Sequence, residues 1–336
     1  MAEIVYGFGT SHSPMLSLLP EDWDIRAARD RTETALPYRG GIYAFDELKD
    51  LRPMDAYIEQ NGLERRKENF DRCRKGLNAL ADEMAEVKPD VIVIIGDDQK
   101  DWFQDDIQPA FTIYYGETVF GKGFGAAEEK QILPAFIPVR RTYRPSRDRE
   151  YMIDHELALH MITCATDDEF DVTTSAKPPT GDDGPIGIGH AFGFVNQRLL
   201  DDDPMASVHV MINTYYPPNQ PSAKRCYHLG ESIGRAIQSL PSGKRVAVAA
   251  SGGLSHFVID EELDHRMIKA MKSRDVEAIF NEPEHSFLSG SSEIKNWLCV
   301  AGILSVTDLK MNVLDYVPCY RTDEGTGTAM CFAAWR

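Results

Sequence analysis

The amino-acid sequence predicts an α/β fold, a central mostly parallel sheet flanked by helices. Residues 91–95, Val-Ile-Val-Ile-Ile, form an unbroken β-branched run suited to a strand buried on both faces. Residues 245–250 and 4–9 supply two further apolar runs of strand length. Between the runs lie stretches with helical periodicity, and strands alternating with helices define this class. The 336 residues hold no repeat, low-complexity tract or evident linker, so a single domain over 1–336 is expected.

The elements follow in order. Residues 4–9 read as a buried strand running into the loop Gly9-Thr10-Ser11-His12-Ser13-Pro14. Residues 17–62 are rich in Pro, Asp and Arg without clear periodicity. They read as loops with short helices, a cover over a site. Residues 64–87 are the clearest helix, because Phe70, Cys73, Leu77, Leu80, Met84 and Val87 recur at spacings of three and four. Pro89 stops it. The strand 91–95 ends in Gly96-Asp97-Asp98-Gln99. Helices are expected over 152–164, 222–240, 261–280 and 292–301, and strands over 208–213 and 245–250. The last of these ends in Ser251-Gly252-Gly253-Leu254-Ser255-His256, and strand-like segments fill the tail from Met311.

Composition narrows the function. Hydrophobic residues make up 43% and charged residues 26%, enough for a large core. The 36 basic and 53 acidic residues give a net charge of −17, which repels nucleic acid and anionic membranes. The six cysteines are scattered with no CxxC pair, the pattern of a reduced cytosolic chain. An acid stands at Glu3, where a secretory signal would carry basic residues, and no apolar run approaches the roughly 20 residues that span a bilayer. A cytoplasmic protein is expected, with no nucleic-acid or membrane partner.

Three expected strands end abruptly in polar residues: His12, Asp97-Asp98-Gln99 and His256. In open α/β sheets ligands bind at the carboxyl ends of strands, so these ends can form one pocket despite their separation in sequence. Glycine and other small residues around His12 and before His256 let backbone approach a ligand closely. From spacing alone, Glu293 reads as a first-turn helix residue behind an N-cap at Ser291 or Ser292.

Five segments together resemble the class III extradiol dioxygenases, the family of the protocatechuate 4,5-dioxygenase β-subunit, and within it the gallate and 3-O-methylgallate branch. They are residues 9–14, residues 89–99, the stretch Asn213-Thr214-Tyr215-Tyr216-Pro217-Pro218-Asn219-Gln220-Pro221, residues 251–256, and Gly290-Ser291-Ser292-Glu293-Ile294-Lys295-Asn296-Trp297. They run in family order over nearly the whole chain. The resemblance implies an active site at the carboxyl ends of the strands and iron(II) held by two histidines and a glutamate. It maps the first histidine ligand onto His12, the glutamate onto Glu293, and the acid–base histidine onto His256. The second histidine ligand is a departure. The family has Asp-His with a Phe four residues on; Phe103 lies four beyond Gln99, so Gln99 holds the ligand position, with Asp98 as the alternative. An amide oxygen is a weaker partner for iron than imidazole. His155, His160 or His190 could also fill the gap. The resemblance further points to His190 and to the segment of His155 and His160 near the substrate; Tyr215 and Tyr216 are candidates to stack on the ring, and Lys224, Arg225 and Arg321 are candidate cations for a substrate carboxylate.

The implied reaction is opening of a catechol-type ring (gallate, 3-O-methylgallate or protocatechuate-like) by O2 on Fe(II). His256 takes and returns a proton, since histidine titrates near neutrality. A homo-oligomer is expected from the family. The alternatives are a same-fold enzyme acting on an aminophenol or hydroxypyridine, a metal-dependent hydrolase permitted by the change at Gln99, and a non-catalytic binding protein.

Overall fold

The principal sheet is assembled from nine strands among the described residues: β1 (Glu3–Thr10), β2 (Val91–Asp97), β3 (Phe111–Tyr114), β4 (Thr173–Ser175), β5 (Ala206–Ile212), β6 (Arg245–Ser251), β7 (His256–Val258), β8 (Met311–Tyr320) and β9 (Thr326–Trp335). The structure is a computed structural model and describes residues 1–336 apart from 53–54, 182–183 and 204. The strand order is β7-β9-β1-β6-β2-β5-β3-β4, with β8 on β9. Its centre, β1-β6-β2-β5, is parallel. Antiparallel pairing enters where β3 joins β5 and where β9 joins β1, β7 and β8.

The strand runs are buried on both faces because helices cover both. Val91, Val93 and Ile95 point into one apolar cluster while Ile92 and Ile94 point into the other. Each such side chain contributes roughly 1.5–3 kcal/mol by leaving water. On one face lies the long helix α1 (Leu63–Val87), with Phe70, Cys73, Leu77, Leu80 and Met84 turned inward as their spacing predicts. It ends at Lys88, which takes a left-handed conformation and donates its N–H to Met84. The other face carries α2 (His155–Asp167), α3 (Ala223–Ser239) and α5 (Ile294–Ser305). Helices α3 and α5 pack closely at Gly230, where a methyl group would collide with the Cys299 carbonyl.

Several boundaries differ from the sequence reading. The expected helix 261–280 is two: α4 (Glu261–Ser273) and a short helix Val276–Asn281. Arg274 adopts φ 56°, and Asp275 caps the second helix by accepting from the Ala278 N–H. Helix α2 starts three residues late because Asp154 caps it through the Leu157 N–H. Helix α5 begins only at Ile294, after a 3-10 turn over Ser289–Glu293. Residues 17–62 do form short helices and a small hairpin, Leu36–Tyr38 with Gly41–Tyr43; positions 53 and 54 of that stretch lie outside the described residues.

This cover is pinned to the sheet by buried charge. Arg321 donates to Asp30 at 2.5 and 2.9 Å, and Thr326 donates to the same carboxylate at 2.6 Å. Nearer the surface, Arg39 pairs with Asp260, the residue that caps α4. Among the described residues no helix is long and apolar enough to cross a membrane.

Candidate functional site

Parallel central strands bring four loops to one end of the sheet. β1 delivers His12, β2 delivers Asp97 and Gln99, β5 delivers Tyr215, and β6 delivers Gly253 and His256. The turn before α5 adds Glu293, and the short helix His190–Phe194 adds His190. A cavity of about 490 Å³ opens there. His12, Gln99, His190, Tyr215, His256 and Glu293 line one side. Arg26, Asp30, Glu33 and Leu36 of the cover line the other. The volume lies in the range of small-molecule sites.

Glu293 is the centre of the polar network and only 3% exposed. Its carboxylate accepts from the Gly253 N–H at 2.5 Å and from the Gln99 amide at 2.8 Å. It stands 3.5 Å from His12 Nε2 and 3.2 Å from His256 Nε2. Burial opposes its charge, but His256 and His12 outweigh burial and hold its pKa well below the usual carboxylate range. Reading Glu293 as a first-turn residue therefore fails. The residue sits at the end of the 3-10 turn that precedes α5, and it lines the cavity.

His12 is buried, and its Nδ1 lies 3.0 Å from the Ser251 hydroxyl, leaving Nε2 to face Glu293. Ser251 in turn donates to the Ala191 carbonyl. The Tyr143 hydroxyl donates to the His12 carbonyl at 2.5 Å, fixing the loop from outside. Gly9 allows the Trp297 ring to pack against β1, and the Trp297 indole donates to the Gly252 carbonyl. This contact ties the His12 loop, the His256 loop and α5 together.

His256 donates Nδ1–H to the Leu254 carbonyl, 2.7 Å away, which leaves Nε2 as the nitrogen facing the cavity. Burial disfavours its charged form; Glu293 more than compensates, and its pKa is raised. His190 is held through Nδ1 by Asp101 at 2.6 Å, with Nε2 directed 4.0 Å from Asp97. Burial opposes its protonation, but Asp101, Asp97 and Glu293 push its pKa up to about 10.

Asp97 is the residue whose role spacing alone did not reveal. It is 1% exposed, and its Oδ1 accepts from Asn296, yet its Oδ2 has no hydrogen-bond partner among the described residues. Burial, then Glu293, raises its pKa. Ligand atoms of His12, Asp97 and His190 all lie within 4.8 Å of one another. A buried carboxylate oxygen lacking a donor, beside two imidazoles and a second carboxylate, suits a divalent cation. The residues present therefore fit a metal. The signal in the sequence was its position at the end of a doubly buried strand.

Not every expected residue reaches the cavity. Asp98 accepts from the Trp102 and Phe103 amides and borders a separate hollow, so its carboxylate is engaged by the loop that follows it. His160 contacts Ser239 at the far end of α3, beside the start of β1, at the opposite end of the sheet. Arg225 is exposed and stacks on Phe111, and Lys224 lies over Phe280. Arg321 is neutralised by Asp30. Tyr215 lines the cavity with its hydroxyl 3.3 Å from Ser289.

Residues 56–327 match the model of the catalytic LigB subunit of aromatic ring-opening dioxygenase. The chain belongs to that family, as its sheet and the site at the strand ends lead one to expect. His12 precedes the matched segment. Among curated proteins, it is 28% identical over 176 residues to a gallate dioxygenase of Pseudomonas putida, covering 48% of this chain and 49% of the relative. It is 24% identical over 184 residues to a 2,3-dihydroxyphenylpropionate/2,3-dihydroxicinnamic acid 1,2-dioxygenase of Comamonas testosteroni, covering 54% and 48%. The protein of the same name in Paraburkholderia xenovorans is 27% identical over 173 residues, covering 52% and 45%. The chain spans about half the length of the curated relatives it matches.

Proposed function

We propose that the protein opens the ring of a small aromatic diol with O2, using iron(II) bound at the cavity floor. The observation that carries this reading is the unpartnered Asp97 oxygen beside His12, His190 and Glu293. His12 and Glu293 would hold the ion, as the resemblance implies, with Asp97 beside them. Gln99 presents its amide nitrogen to Glu293, because an amide oxygen would be repelled by the carboxylate. It thereby orients Glu293. Iron supplies Lewis acidity, a template for diol and O2, and a path for electrons.

The protein's own residues do the rest. His256 is locked in one orientation by its Nδ1–H bond to Leu254, so Nε2 exchanges protons with a substrate hydroxyl. Tyr215 bounds the space available to the ring. The cover over 17–62, fastened by Asp30 and Arg321, limits water around the reacting atoms. Six free cysteines fit a reducing, cytoplasmic setting.

The test is O2 consumption by anaerobically purified, iron(II)-loaded protein given gallate, 3-O-methylgallate or protocatechuate, with the absorbance of the opened ring followed in parallel. Uptake stoichiometric with ring opening is expected. An iron-loaded protein that consumes no oxygen with any aromatic diol refutes the proposal.

A further inference from the structure

Two of the cations that line the cavity have no ion pair of their own among the described residues. Arg26, on the helix Trp23–Asp30, and Arg140, on the helix Ile137–Tyr143, both line the cavity. Neither makes an ion pair or a side-chain hydrogen bond among the described residues. The acids nearby are already engaged: Asp30 pairs with Arg321, and Glu33 lies 3.6 Å from Arg29. Burial, then the neighbouring Arg321, act against the charge of Arg26, and Asp30 offsets this only in part. A half-buried guanidinium with five donors and no acceptor is costly to keep in place, and an incoming anion offsets that cost.

The surroundings strengthen the case. Arg26, Arg140 and Tyr143 are shared with an adjoining hollow of about 370 Å³, whose remaining wall includes Ile132, Phe136 and Val139. The two cations therefore stand at the junction of a polar chamber and an apolar one. Low-dielectric walls strengthen an ion pair formed there. The Tyr143 hydroxyl is committed to the His12 carbonyl, and the residue lines both chambers. In a chain of net charge −17, two such guanidiniums at one junction offset the repulsion that an incoming acid would meet.

We propose that Arg26, with Arg140 beside it, is the subsite that receives the carboxylate of the substrate, which is thus an aromatic acid whose diol faces His12 and Glu293. This rests on the ring-opening reading for the identity of the diol. A guanidinium holds a carboxylate by two parallel N–H···O bonds, which fixes direction as well as affinity. The subsite selects among diols by charge at the edge of the ring remote from the reacting oxygens.

The test is anaerobic calorimetric titration of the protein, with and without iron(II), using protocatechuate and its methyl ester as probes. The acid should bind at least about tenfold more tightly than the ester, as expected for a charge-assisted pair. Arg26→Gln should abolish that preference, Arg26→Lys should retain part of it, and Arg140→Gln, at an exposed site that tolerates change, should reduce it. No preference in the unaltered protein, no binding of either probe, or equal weakening of acid and ester in Arg26→Gln overturns the proposal. Intact preference without oxygen uptake refutes the dioxygenase reading instead and leaves the anion subsite standing.

Discussion

Replacing Glu293 by Gln tests the centre of the site, because shape is preserved while charge is removed. The Gly253 N–H cannot rotate, so the new amide oxygen must face it and the new NH2 must face Gln99 and His256. Gln99 can turn its own oxygen inward, and His256 Nε2 can accept once its proton leaves. The cost to the metal-free fold is then the difference between charge-assisted and neutral hydrogen bonds, about 1–2 kcal/mol. The effect on metal is larger. Changing a group that merely supports a ligand lowers affinity by about 10–100-fold, so losing a direct carboxylate donor should cost at least about 100-fold. Calorimetric titration of cobalt(II) or iron(II) into metal-free protein measures the second quantity, and urea unfolding measures the first. A Glu293→Gln protein that binds the ion within about threefold of the unaltered chain would show that Glu293 is not a ligand. A loss above about 5 kcal/mol without metal would show that the local rearrangement described above does not occur.

Four further outcomes are expected. His256→Gln should retain the metal while ring opening falls by about 10²–10⁴-fold, and parallel loss of metal would contradict its acid–base role. Gln99→His should raise iron(II) affinity, since imidazole is the better donor, and an unchanged titration would place Gln99 outside reach of the ion. Asp264 is buried and its pKa is pushed up to about 7 by burial, despite donors from Ser255 and Tyr316. The folded state therefore holds this proton more tightly than the unfolded chain. Its contribution is full below about pH 4 and is lost as pH rises through about 7, a decline of up to ~4 kcal/mol. Asp264→Asn should flatten that slope in urea unfolding at pH 5 and 8, and a slope as steep in the variant would refute the assignment. His160→Ala should leave oxygen uptake unchanged and stability within about 1 kcal/mol, whereas lost turnover would mean the far end of the sheet communicates with the site.

The sequence by itself determined the scaffold. Runs such as 91–95 can be satisfied only inside a sheet covered on both faces, and the Phe70-to-Met84 spacing can bury only one stripe of a helix. The polar strand ends also gave His12 and His256 as site residues, because parallel strands must present their carboxyl ends together. Helix interruptions such as the break at Arg274 were hidden, since one left-handed residue decides them and periodicity continues on either side. So was the placing of Glu293, which ends a 3-10 turn ahead of α5 instead of standing in the helix's first turn.

Tertiary structure alone decided which charges are free. Arg321, Arg225 and Arg26 are equivalent as letters. In the fold Arg321 is neutralised by Asp30, Arg225 lies on Phe111 at the surface, and Arg26 lines the cavity with no ion-pair partner among the described residues. Likewise Asp97 and Asp98 are neighbours, yet one is bonded by two backbone amides and the other keeps a bare oxygen toward His12 and His190. Burial and pairing are properties of the space around a group, set by residues far away in the chain, and no local pattern encodes them.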